Sequence, residues 1–176
     1  MTTERQTKIG FLSRTNKGKA MLQGYLAALS SATQSEVSPA MLTDLPERDL
    51  LLDQFRAGYK QAKDLGTLTF SKTYSAEKRD DVLSAASCLA DQLNENIFLL
   101  TKQSEFCGAV NLPGANLLRH CAAIITLDGD AVMILSQDHS QGLLLDFAAD
   151  DPQSCYELTV WGDRWSLAML NCTAAP

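Results

Sequence analysis

No apolar run in this chain approaches the roughly 18 residues that read as a membrane-spanning helix. Residues Met1 to Lys8 lack the apolar stretch of a secretory leader. Together these absences lead to the expectation of a cytoplasmic protein away from the membrane. A Gly-rich phosphate loop is missing, which argues against nucleotide hydrolysis, and so is a G-x-S-x-G elbow. Histidine is scarce. His120 and His139 are the only two, and neither has the spacing of a usual zinc site. No metal, no cofactor and no catalytic activity are therefore expected, with a hydrolase using His120 or His139 held in reserve. The five cysteines, Cys88, Cys107, Cys121, Cys155 and Cys172, form no CxxC pair and are odd in number. Mostly in apolar contexts, they read as small buried thiols of a reducing compartment.

What is present is an ordinary globular composition, 45% hydrophobic and 20% charged, in 176 residues, enough to bury a core. The net charge of -6 conceals a division. Residues 1–80 carry twelve Lys and Arg against nine Asp and Glu, and residues 81–176 carry three against twelve. A mildly basic front can meet phosphate, while an acidic back repels nucleic acid and suits a basic protein surface.

In chain order, residues 1–15 read as a polar lead-in of undefined structure. A helix is expected from Asn16, as N-cap, to Ala32, with Met21, Leu22, Tyr25, Leu26 and Leu29 at helical spacing. Pro39 marks a loop. A second helix opens at Pro46 with Glu47 and Asp49 near its start, traces Leu51, Leu52, Phe55, Tyr59 and Ala62 along one face, and closes at Gly66. Thr67 to Tyr74 alternates as a short strand or extended linker. Ser75 then caps the clearest amphipathic helix, Ala76 to Leu93, whose stripe is Val82, Ala86, Leu89 and Leu93. Beyond it the period shortens. Strands are expected at Ile97–Thr101, Phe106–Leu112, Ala122–Leu127, Ala131–Ser136, Gly142–Phe147 and Tyr156–Trp161. Asp128-Gly129-Asp130 is expected to turn a hairpin, and further turns fall at 137–142 and 150–153. Residues Trp165–Leu170 read as helix or strand. The expected class is α+β: an N-terminal helical pair, then a long amphipathic helix and an antiparallel β-meander. The expected division is 1–66 and 67–176, with a shared core as the alternative.

The run Gln54-Phe55-Arg56-Ala57-Gly58-Tyr59-Lys60-Gln61-Ala62 has an aromatic, two residues, a Gly-aromatic pair, a basic residue, and Ala two positions on. Gly24-Tyr25 with Ala27, and then Pro39, precede it in order. Residues 17–63 thereby resemble the ribosome modulation factor family. That resemblance implies a two-helix module that binds ribosomal RNA and silences ribosomes in stationary phase. Departures are Phe55 and Tyr59 in place of the usual tryptophans, a longer inter-helix loop and a less basic charge. On this reading Arg56, Tyr59, Lys60 and Lys63 supply the RNA contacts. The second half is similar in general character to immunity proteins of bacterial toxin systems, which are acidic because they cap basic nucleases. On that reading Asp146, Asp150, Asp151 and Glu157 bind a basic protein. The expected partner is thus macromolecular: ribosome or RNA, or a basic protein.

Overall fold

The computed structural model describes residues 4–65, 69–128, 131–147 and 155–174. The fold is α+β, built on a six-stranded antiparallel sheet. Its strands are β1 (Thr69–Ser75), β2 (Asn96–Leu100), β3 (Val110–Pro113), β4 (Ala131–Ser136), β5 (Gly142–Phe147) and β6 (Cys155–Trp161). They lie in the order β1-β6-β5-β4-β2-β3. Strands β4, β5 and β6 form the meander, with Gly142 opposite Leu135 and Trp161 opposite Gly142.

Strand alternation divides the apolar residues between two faces. Ile97, Leu99, Val110, Leu112, Val132, Ile134, Leu143, Leu145, Leu158 and Val160 enter the larger buried cluster. Phe98, Leu100, Leu135 and Trp161 enter a second cluster on the other face. The larger cluster is roofed by α3 (Arg79–Ala90), α5 (Gly114–Arg119), α6 (Cys121–Asp128) and α7 (Asp163–Ala174), through Val82, Leu89, Leu117, Ile124, Trp165 and Met169. The second cluster is covered by α2 (Leu45–Leu65), through Leu51, Phe55 and Ala62.

The two N-terminal helices therefore bury their stripes in different clusters. α1 (Glu4–Thr33) sends Tyr25, Leu26, Leu29 and Ala32 into the larger one. Tyr25 Oη lies 2.9 Å from Thr101 Oγ1 and 3.3 Å from Ser104 Oγ, where α4 (Ser104–Cys107) begins. Arg14 ties α1 to the start of α2 by two bonds to the Asp49 carboxylate, of 2.8 and 2.9 Å. Asp44 caps α2, its Oδ1 accepting from Glu47 N at 2.8 Å, so Pro46 sits in the first turn where its missing N–H costs little.

Several expectations are corrected. α1 runs from Glu4, so Asn16 is interior to the helix, not its cap. The lead-in was polar rather than patterned, and exposed Ile9, Phe11 and Leu12 show that no apolar stripe drives that end. Ala122–Leu127 is the helix α6 rather than a strand, which removes the β-hairpin expected at Asp128; Gly129 and Asp130 lie outside the described residues. Cys121, Ile124 and Ile125 fall at i, i+3 and i+4 and are buried together, so packing outweighs their β preference. The helix α3 starts at Arg79 after a 3-10 turn, Ala76–Lys78, and Ser75 makes no side-chain cap bond. Ser104–Cys107 is a helical turn, which shortens the strand expected at Phe106–Leu112 to Val110–Pro113. Trp165–Leu170 resolves to helix. The expected C-terminal Gly66 and the turn at 150–153 lie outside the described residues.

The cysteines are corrected as well. Cys88 of α3 and Cys172 of α7 form a disulfide across 84 residues of sequence. Neither a CxxC spacing nor sequence neighbourhood signals it, because the pair meets only when α7 returns over α3. Cys107 and Cys121 are free thiols, and burial pushes Cys121 up to about 12. Among the described residues no helix is long and apolar enough to cross a membrane.

Candidate functional site

The α2 stretch singled out by sequence lies across the sheet face that carries Trp161. Phe55 is 4% exposed, and its ring meets Trp161 edge-on with centroids 4.8 Å apart. Tyr59 approaches the same indole at 6.0 Å. Gly58 is small for a reason: a Cβ there would sit 2.6 Å from Trp161 Nε1. Gly142 does the same service from the sheet, where a Cβ would fall 2.0 Å from Trp161 Cζ2. The indole is thus held between two glycines. Its N–H is buried without a hydrogen-bond partner, and so is Gln54 Oε1 one turn earlier on α2.

The next turn of α2 brings together residues that the sequence assigned to two rival sites. Lys63 Nζ lies 3.3 Å from Glu157 Oε1 on β6. Tyr59 donates to the same oxygen at 3.4 Å, and Thr159 donates to it at 2.9 Å. The ammonium also stands over the Tyr59 ring, 4.8 Å from its centroid. Tyr59 and then Glu157 hold Lys63 above its ordinary value, with slight burial working against them. Burial pushes Glu157 up, but Thr159, Lys63 and Tyr59 together outweigh it and hold the carboxyl below its usual range. Asp146 is exposed on β5 directly opposite Glu157 in the register. Asp150 and Asp151 lie outside the described residues.

Arg56 and Lys60 point outward. Arg56 is 69% exposed at its side chain and reaches Asp53 at only 3.7 Å. Lys60 is exposed. Of the four residues assigned to RNA, these two remain open cations, while Tyr59 and Lys63 are occupied by Glu157.

The histidines lie apart. His120, at the α5–α6 junction, sets Nδ1 3.0 Å from Asn116 O. His139 sits in the β4–β5 turn with φ of 60°, a left-handed conformation that this turn supplies. Ser140 Oγ donates to Asp138 Oδ1 at 2.8 Å rather than to an imidazole. Ser136 first, then Ser140 through backbone and hydroxyl, draw the Asp138 carboxyl down to about 2. No cluster of three or more His, Cys, Asp or Glu suited to a metal occurs among the described residues. A cavity of about 310 Å³ does open beside His139, walled by α2, this turn and the start of α7. Sequence reasoning missed it, because Gln61, Gln141 and Asp163 form no motif and meet only through the fold.

Comparison with protein-family models, curated proteins and solved structures finds no match to this chain. The functional reading therefore rests on the geometry.

Proposed function

We propose that this chain is a non-catalytic binding protein that engages a basic protein partner through the acidic side of its sheet, in the manner of an immunity or adaptor protein. The observation that carries this is the pair Asp146 and Glu157, like charges directly opposite on neighbouring strands. Such a pair costs the fold stability, and a cation between or above it offsets the cost. The chain places Lys63 on Glu157, which displays the chemistry that a Lys or Arg of a partner would use on this acidic side. The surrounding charge supports it. Arg119 and Arg164, two of the three Lys and Arg beyond residue 80, are already bonded to Asp91 and Glu95. Aromatic stacking surface for RNA is correspondingly poor, since Phe55 is buried and Tyr59 is tied to Glu157.

Affinity capture on the immobilised chain at low and high ionic strength tests this reading. Retained proteins are expected to be rich in Lys and Arg, to be lost at about 0.5 M salt, and to be lost when Asp146→Lys and Glu157→Lys are combined. Retention that survives charge reversal overturns it.

A ribosome- or RNA-associated role remains as the second reading, and the outward cations Arg56 and Lys60 favour it. Here the resemblance to ribosome modulation factor supplies the hypothesis. Co-sedimentation of the wild-type chain with ribosomes, lost in Arg56→Glu with Lys60→Glu, supports this role. Absence of co-sedimentation in the wild type ends it.

A further inference from the structure

The Cys88–Cys172 disulfide opens onto a cavity of about 550 Å³. Lys72 and Tyr74 of β1, Asp81 and Ser84 of α3, and both cysteines form its wall. The two cysteines are half-buried, whereas the free thiol Cys121 is 2% exposed. That access matters chemically, because thiol–disulfide exchange requires a thiolate to reach one of the bonded sulfurs. The space is large enough for a visiting cysteine side chain with its flanking backbone. Tyr74, 5% exposed, supplies a buried aromatic wall with Lys72 Nζ 5.0 Å from its ring centre. Lys72 and Asp81 bring opposite charges to the rim, so an approaching thiolate meets no wall of one sign. Neither free thiol, Cys107 or Cys121, lines this cavity.

The bond joins two helix ends. Cys172 lies in the last turn of α7, and Cys88 lies in the last turn of α3. Trp165 and Met169 anchor α7 in the larger core cluster. Met169 is the last fully buried side chain of α7 among the described residues, and Leu170 and Asn171 beyond it are exposed. The last turn is therefore fastened chiefly by sulfur rather than by apolar burial. A segment with few buried apolar contacts opens at low free energy. Breaking the S–S bond releases this turn while Trp165 and Met169 keep the rest of α7 on the sheet.

We propose that Cys88–Cys172 is a redox switch, opened through this cavity by an external dithiol and releasing the last turn of α7. One thiol of the reductant loses its proton, and its thiolate attacks one sulfur of the pair. A mixed disulfide forms and the Cys88–Cys172 bond breaks. The departing cysteine leaves as a thiolate and takes up a proton. The second thiol of the reductant, also deprotonated, then attacks the reductant's own sulfur in the mixed bond. That step closes the reductant's disulfide and releases the other cysteine, which is protonated in turn. In sum the dithiol is oxidised to a disulfide, and two electrons and two protons pass to Cys88 and Cys172. This inference is independent of which macromolecule the acidic sheet or α2 engages.

The test treats the full, folded chain with dithiothreitol, traps the new thiols with iodoacetamide and counts them by intact mass. Native reduction is expected within about tenfold of the rate for the urea-unfolded chain, because the sulfurs are reached without unfolding. The native rate is expected to stay constant in urea concentrations below the unfolding transition. Ser84→Trp, at an exposed position of α3, fills the cavity. It is expected to slow native reduction by about tenfold and to leave the unfolded rate unchanged. NMR relaxation reads the consequence. The Asn171 and Cys172 amides are expected to become mobile on reduction, while the β4 and β5 resonances keep their positions. The proposal is overturned by a native rate that climbs with low urea, which means attack only on unfolded chains, or by a rate indifferent to Ser84→Trp. A last turn as rigid in the reduced chain as in the oxidised one also overturns it, and so does loss of the whole native spectrum on reduction.

Discussion

Lys63 of α2 and Glu157 of β6 form an ion pair at 3.3 Å, although they lie in halves of the chain with opposite net charge. The charge division is thus partly closed inside the fold. Tyr59 and Thr159 share the same carboxylate oxygen, so the pair belongs to a small network rather than standing alone. Lys63 is half exposed, which places the interaction in the weak class of surface ion pairs. A double-mutant cycle with Lys63→Ala and Glu157→Ala is expected to give a coupling of about 0.5 kcal/mol. Chemical denaturation in urea reads it, and added salt should shrink it. A coupling indistinguishable from zero at low salt would deny the network any part in holding α2.

Gly58→Ala sets two effects against each other. Alanine in a helix interior is favoured over glycine by about 1 kcal/mol. Here, however, the new Cβ would meet Trp161 Nε1 at 2.6 Å, and the indole cannot retreat because Phe55 and Gly142 confine it. Overpacking of this kind costs about 1–3 kcal/mol. Net destabilisation is expected, seen as a lower urea midpoint with an unchanged slope. A more stable variant would show that Trp161 has room to move.

The Cys88–Cys172 bond closes a long loop and fastens the last turn of α7 to α3. Removing it with Cys88→Ser and Cys172→Ser is expected to lower stability by about 2–5 kcal/mol. Thiol labelling of the unfolded, unreduced chain should leave these two cysteines unmodified. Disulfides persist in oxidising compartments, so a pair found fully reduced in protein taken from its native compartment would support the cytoplasmic expectation instead.

Asp138 supplies a pH dependence whose sign is defined. Hydrogen bonds from Ser136 and Ser140 lower its folded value to about 2, below the ordinary aspartate value. Its contribution is therefore complete above about pH 4 and is lost as pH falls towards 2. The group sits in an exposed turn, so screening limits the effect to about 1 kcal/mol or less. Asp138→Asn is expected to lower stability at pH 7 and to flatten the stability profile between pH 4 and 2. An unaltered profile would mean that the turn draws nothing from this carboxylate.

Local pattern carried much of the architecture. Val82, Ala86, Leu89 and Leu93 are buried as their spacing requires, and Tyr156, Leu158 and Val160 share one sheet face. Alternation at β6 and the 3.6-residue stripe at α3 are properties of neighbouring residues, so they are readable before folding. The run Ala122–Leu127 was not readable in this way, since a short apolar segment fits a strand and a buried helix equally well.

The candidate site was legible only in part. Asp146 and Glu157 were marked by carboxylates within strand patterns, and Arg56 and Lys60 by their place on the polar side of α2. That Lys63 and Tyr59 would spend themselves on Glu157 depends on α2 crossing β6, a contact between residues 94 or more positions apart. The cavity of Gln61, Gln141 and Asp163, and the meeting of Cys88 with Cys172, arise in the same way. Sequence by itself determined the helix and strand periods, the acidic second half and the candidate charges, because these are local or compositional. The tertiary structure decided which charges stay open and which glycines must be glycines. It also decided where a cavity forms, because each of these depends on side chains that only the packed fold brings within a few ångströms.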